Sequence, residues 1–177
     1  MQHNAKSIQG EMMEVTRQLF ASKVDLFGAG RTDAGVHALR QVVHLKVPEL
    51  KINLTPRQIQ HGFNDLLPHD INVIKVANAA DDFHARKDAV ARYYLYQIST
   101  RRTAFGKNLV WWIKDNLDAK AMAEAAAMLV GRHDFVSFCE KDDTKKQSTI
   151  VDVKHAEVFT DGDLICFRIG ATHFLWK

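Results

Sequence analysis

The spacing of apolar residues changes period several times along the chain, and the order of those changes limits the fold more than any other feature. Behind Ser7, a residue suited to capping a helix, Ile8, Met12, Val15 and Leu19 recur at three- and four-residue intervals and so share one helical face. Strand-like stretches follow over 23–29 and 40–47. Thr55 then precedes Pro56, a cap followed by proline at the first helical position, and Ile59, Phe63, Leu66 and Leu67 give a second buried stripe that Pro68 ends. Residues 72–76 read as another strand. Beyond the polar joint at 78–82 come a strand over 89–99, an irregular insertion to about residue 117, and a helix from near Asp118 to Gly131. A hairpin closes the series, with strands 150–159 and 164–171 turning at Asp161-Gly162.

Written as symbols, the chain is αββαβ followed by βαββ. Each series is a piece of the split βαββαβ unit, the first without its opening strand and the second without its closing helix and strand. The last residues, Phe174-Leu175-Trp176-Lys177, form an apolar run, where a natural terminus usually carries a polar tail. Both ends are therefore expected to be truncated relative to the natural domain.

Composition narrows the partners. The chain has 177 residues, 46% of them hydrophobic, enough for a real core. Lys and Arg exceed Asp and Glu by 24 − 21 = +3, which permits a polyanionic partner without demanding one. Cys139 and Cys166 form no CxxC pair, and no apolar run approaches the ~20 residues of a membrane span, so a reducing cytoplasm is the expected location.

The chemistry-bearing stretch is Gly28-Ala-Gly-Arg-Thr-Asp-Ala-Gly-Val-His-Ala38, followed by the strand Gln41-Val-Val-His-Leu-Lys-Val47. Glycines at 28, 30 and 35 let the backbone bring Asp33 close to a ligand. Asp33 is either a plain turn cap or a nucleophile that the nearby Arg31 keeps ionised, and that pair is equally readable as a surface ion pair. A phosphate loop is excluded, because the stretch has no GK[ST] and a strand follows it instead of a helix. His37, His44 and His84 lack metal-ligand spacing, so no metal is expected. No serine sits in GxSxG.

A second candidate is Ala91-Arg-Tyr-Tyr-Leu-Tyr96, whose alternation sends Arg92, Tyr94 and Tyr96 to one face and Tyr93 and Leu95 to the other. An aromatic, basic face can stack a base while holding its phosphate, although strand tyrosines are commonly plain packing. Phe83-His84-Ala85-Arg86 adds a cation just before it. Arg101, Arg102, Lys107, Lys141, Lys145 and Lys146 are either solvated surface or contacts to a phosphate backbone. Phe135-Val-Ser-Phe138 matches only the last four places of an RNA-recognition signature.

Taken together, these stretches resemble the TruA-type tRNA pseudouridine synthases. GRTDAGVHA with QVVHL is the most specific motif, and FHAR, ARYYLY, GRHDFVSF and THFL fall in the family's order and approximate spacing. The resemblance spans essentially the whole chain. It implies an α+β fold of two fused ferredoxin-like halves in a continuous mixed or antiparallel sheet with helices on one side, here 1–80 and 81–177 with each half incomplete. It also implies a homodimer that acts on the anticodon arm of tRNA, at positions 38 to 40, without cofactor. By motif position Asp33 is the catalytic nucleophile, Tyr94 the active-site tyrosine, and Arg31 the arginine that helps displace and hold the target nucleotide. His84 and Arg86 are carried as further substrate-binding candidates. The family's opening strand would precede Met1, with only its tail surviving near Gln2. Beyond Phe174-Leu175 the family continues into a Met-Val-Arg segment whose arginine is expected to pair with the aspartate, and Lys177 sits one place too early to be that arginine. The rival reading is a non-catalytic RNA-binding module of RRM-like shape. A glycosidase-like hydrolase would need a second carboxylate about 5–10 Å from Asp33, and none is nominated.

Overall fold

The computed structural model describes residues 6–48, 52–139 and 148–175. Lys141, Lys145, Lys146, Gln2 and Lys177 lie outside them. The protein is mixed α+β, with three helices and seven strands among the described residues, and the chain divides into two compact units at Asp88/Ala89.

The first unit opens with α1 (Ile8–Phe20), whose start is fixed by Ser7 Oγ accepting from Gly10 N at 3.1 Å. Such a cap contributes about 1 kcal/mol. Strands β1 (Asp25–Gly28) and β2 (Val43–Lys46) pair antiparallel, with Phe27 opposite His44. Helix α2 (Pro56–Leu66) begins in a capping box: Thr55 Oγ1 accepts from Gln58 N, and Gln58 Oε1 accepts from Thr55 N at 2.9 Å. The two stripes meet, with Ile8 left exposed, and Val15, Phe63 and Leu67 form a buried cluster flanked by Met12, Leu19, Ile59, Ile71 and Val73. Leu66 departs from the expected stripe at 47% exposure, because Leu67 instead turns into the cluster beyond the last helical residue.

Residues 72–76 form no strand, contrary to the pattern. Their apolar alternation is satisfied by α2. Val73 N donates to Asn64 Oδ1 at 2.7 Å, while the Val73 carbonyl accepts from Asn64 Nδ2 at 3.0 Å and from Gln60 Nε2 at 3.2 Å. Side-chain amides thus take up the backbone groups that a ladder would have used.

The second unit is a five-stranded sheet in the order β4-β3-β7-β6-β5: β3 (Arg92–Ser99), β4 (Trp111–Trp112), β5 (Gly131–Asp134), β6 (Ile150–Asp161) and β7 (Leu164–Ala171). Every pairing is antiparallel except β3 with β4. The expected hairpin is present, one residue longer on its first strand than the turn prediction allowed, since Asp161 pairs with Leu164 and leaves Gly162-Asp163 as the loop. Helix α3 (Ala119–Ala127) starts where Asp118 Oδ1 accepts from Lys120 N and Ala121 N, and it ends short of Gly131. Val151, Val153 and Ala171 are the buried centre, with Phe135, Ile169 and Phe174 against them.

Three elements of the second unit differ from the sequence reading, and one of them, β4, lies in the stretch expected to be irregular. Strand β5 has no apolar alternation to announce it; its polar Gly-Arg-His-Asp run is held by pairing with β6. Val136–Phe138 is a short 3-10 helix, so Phe135-Val-Ser-Phe138 presents no strand face of stacking aromatics. The partial RNA-recognition reading of that stretch is thereby overturned: Phe135 packs inward, while Phe138 is exposed.

Candidate active site

The loop between β1 and β2 is closed at its base by backbone and side chain together. Ala29 N donates to Val42 O at 2.9 Å, and Gln41 Nε2 donates to Gly30 O at 2.9 Å. Residues 31–40 above that closure are all exposed. Inside the loop, Val36 N donates to Asp33 O at 3.2 Å and Gly35 has φ +83°. Asp33 is thus the first residue of a tight turn whose third position needs positive φ, as in a type II turn. The carboxylate stands on a fixed backbone and faces solvent. Arg31 and Asp33 form no ion pair within 4.0 Å. Both groups remain available to a ligand.

The Phe83-His84-Ala85-Arg86 segment docks on the same hairpin. His44, buried on β2, accepts at Nδ1 from Ala85 N at 3.1 Å. The His44 ring stacks on Phe27 at 5.3 Å between centroids, meets the edge of Phe83 at 6.3 Å, and lies 4.7 Å from the His84 ring. His84 accepts at Nδ1 from Arg86 N at 3.2 Å and Lys87 N at 3.4 Å, and its own backbone N donates to Asp88 Oδ2 at 2.7 Å. Burial, then the neighbouring His84 and Lys46, lower the pKa of His44, with Asp88 opposing them. His84 and Arg86 are therefore held beside the strands that carry Arg31 and Asp33. Among the described residues no three His, Cys, Asp or Glu side chains converge as metal ligands.

Tyr94 belongs to the second unit. It lies on β3 opposite Ile169, half-exposed, with its ring edge-on to Phe174 at 4.8 Å. Strand β3 pairs with β7 without a bulge, so Arg92, Tyr94 and Tyr96 share a face, as the alternation requires. Arg92 Nη1 donates to Thr172 O, and Tyr96 meets Trp111 at 6.3 Å. Tyr93, on the other face, lies across Gly170. Two of the scattered cations are engaged within the protein: Arg101 Nε holds Asp163 Oδ2 at 2.6 Å, and Arg102 lies over the Trp112 ring at 5.8 Å.

Sequence reasoning missed two contributors. Gln41 ties the loop base, and its signal was only its place at the start of the strand motif. His44 was weighed as a metal ligand, whereas its work is to accept a backbone hydrogen bond.

The chain that carries the acidic turn in its first unit and the aromatic strand in its second has counterparts in sequence. The family described as tRNA pseudouridine synthase matches residues 125–177. The tRNA pseudouridine synthase A of Rhodopseudomonas palustris (strain BisA53) is 40% identical over 180 residues, covering 99% of this chain and 71% of that protein. The proteins of the same name from Brachyspira hyodysenteriae and Dictyoglomus thermophilum are 33% and 36% identical, each over 99% of this chain, with 70% and 71% of their own lengths covered. These relatives are RNA-modifying enzymes by name. The chain belongs to the tRNA pseudouridine synthase A (TruA) family. No described helix is long and apolar enough to cross a membrane.

Proposed function

We propose that this protein isomerises uridine to pseudouridine in the anticodon stem-loop of tRNA, at positions 38 to 40, with Asp33 as its nucleophile. The observation that carries the reading is the exposed Asp33 turn on a closed hairpin loop, in a chain whose family is named for this reaction. The chain would comprise two fused ferredoxin-like halves, 1–80 and 81–177, each incomplete, with a homodimer in the cytoplasm as the working form.

The reaction breaks the N1–C1′ bond, turns the uracil over and joins C5 to C1′, so no group is gained or lost and no cofactor is called for. A carboxylate is ionised at neutral pH and either attacks C1′ or takes the proton from C2′. Tyr94 would stack on the uracil and relay the proton that C5 loses in the last step. The target base must first swing out of its stack, at a cost of a few kcal/mol that is smallest in a loop. Arg31 would fill the space it vacates or hold its phosphate, and His84 and Arg86 would frame the same substrate.

The test is a mass-spectrometric readout of pseudouridine in tRNA transcripts, comparing a natural anticodon arm with one whose uridines at 38 to 40 are replaced by cytidine. Conversion of the first and none of the second is expected. Conversion at other positions alone would remove the assignment of substrate site, and binding without any conversion would favour the RNA-binding module.

A further inference from the structure

The His44 and His84 rings lie 4.7 Å apart with their planes tilted by 57° where the Phe83-His84-Ala85-Arg86 segment meets the β1/β2 hairpin, and the Nδ1 of each accepts from backbone N–H groups. His44 is 7% exposed, so the Ala85 amide it receives is also shielded, and Ala85 itself is 2% exposed. A buried N–H with no acceptor is unfavourable, and within hydrogen-bond reach the structure gives Ala85 N the His44 ring. His44 stands two residues beyond Val42, whose carbonyl closes the Asp33 loop, and directly opposite Phe27 on β1. One side chain therefore links the base of the loop to the residue preceding Arg86.

We propose that His44 is a positioning residue: by accepting from Ala85 N it locks the backbone of the His84–Arg86 segment to the hairpin that presents Asp33, so that the two are held in one frame for the RNA. The proposal rests on the function argued above for its link to catalysis, and on hydrogen bonding alone for the link to Ala85. The lock holds only while Nδ1 is unprotonated. A proton there turns the acceptor into a donor facing a donor. The charged and titratable groups around the ring are His84 beside it, Lys46 further along β2, and Asp88 at the end of the docked segment. Burial first, then His84 and Lys46, disfavour a proton on His44, and Asp88 favours it. Acid therefore releases the segment, and it does so below the ordinary range of histidine.

Three variants separate the lock from ordinary packing. His44→Asn offers Oδ1 near the place of Nδ1 and does not titrate. His44→Phe keeps the ring volume and its stacking on Phe27 but has no acceptor. Asp33→Ala removes the proposed chemistry and leaves the lock intact. Amide hydrogen exchange at Ala85, corrected for the intrinsic pH dependence of exchange, reads the lock without reference to activity. In wild type, protection at Ala85 is expected to fall as pH drops from 7 to 5. His44→Phe should show at least about tenfold faster exchange at pH 7, the effect of leaving one buried donor unpaired. His44→Asn should keep most protection and lose the pH dependence. In single-turnover assays, His44→Phe should lower the conversion rate more than it weakens tRNA affinity, and His44→Asn should recover most of the rate.

Equal Ala85 exchange in wild type and His44→Phe at pH 7 overturns the proposal, as does equal behaviour of the Asn and Phe variants. If His44→Phe does not fold, the comparison of wild type with His44→Asn across pH decides, and a wild-type amide whose protection is flat from pH 7 to 5 refutes it. Failure of the functional reading looks different: the exchange differences persist while no variant, wild type included, makes pseudouridine.

Discussion

Replacing Gly35 with alanine tests whether the Asp33 turn is a working part of the site. Gly35 has φ +83°, and an added Cβ there meets nothing within 4 Å. The substitution is thus free of steric collision, and its whole cost is conformational. Holding an L-residue at positive φ costs about 1–2 kcal/mol relative to glycine. If the productive enzyme needs this turn, the same energy is subtracted from transition-state binding, and kcat/KM should fall by about 5- to 30-fold. Asparagine tolerates the left-handed region better than alanine, so Gly35→Asn should lie between wild type and Gly35→Ala. The loop above its closure is exposed and contributes nothing to the Val15, Phe63 and Leu67 cluster, so thermal stability should be nearly unchanged. Single-turnover formation of pseudouridine in tRNA, with circular dichroism melting of the same preparations, measures both quantities. Wild-type activity in Gly35→Ala, or the order alanine above asparagine, would refute the reasoning, as would a loss of activity matched by a loss of fold.

Three further outcomes follow from packing and charge. A Cβ on Gly62 would stand 2.6 Å from Leu19 Cδ2, the end of a partly buried side chain, so in Gly62→Ala the displacement of Leu19 should largely offset the ~1 kcal/mol gain in helix propensity, whereas in a Leu19→Ala background the same change should stabilise by that full amount. All tyrosines and tryptophans lie in the second unit, so the helix signal in circular dichroism is the appropriate probe of that cycle. Cys166 is buried and its thiol is pushed up by burial and by Asp161, so iodoacetamide at neutral pH should alkylate Cys139 well before Cys166, as peptide mapping would show. Because the pKa of His44 is lowered on folding, the unfolded chain takes up its proton first. Its contribution to stability should be complete above the ordinary histidine pKa of about 6.5 and be lost as pH falls through the folded value, a slope that His44→Leu should reduce in urea titrations across pH 7 to 5.

How far the sequence could be read depended on where the physical signal was local. Caps and stripes are local, and Ser7, Thr55-Pro56 and Asp118 each start a helix where the pattern puts it. The Asp33 loop was legible for the same reason, since glycine spacing and a following strand are features of neighbouring residues. The errors lie where a distant partner decides. Residues 72–76 carry strand alternation, yet Asn64 and Gln60 of α2 occupy their backbone groups. Strand β5 carries none and becomes a strand because β6 pairs with it. His44 belongs to the same class: its partner is 41 residues away, and no spacing rule connects an imidazole to a backbone amide at that distance.

The central claim is that the Asp33 carboxylate performs the isomerisation. Its most direct measurement is single-turnover conversion of a tRNA transcript by Asp33→Asn, a change that removes the charge at nearly constant shape, with equilibrium tRNA binding measured on the same preparation. The account predicts no detectable pseudouridine with affinity kept within about threefold. Conversion at anything near the wild-type rate would contradict it.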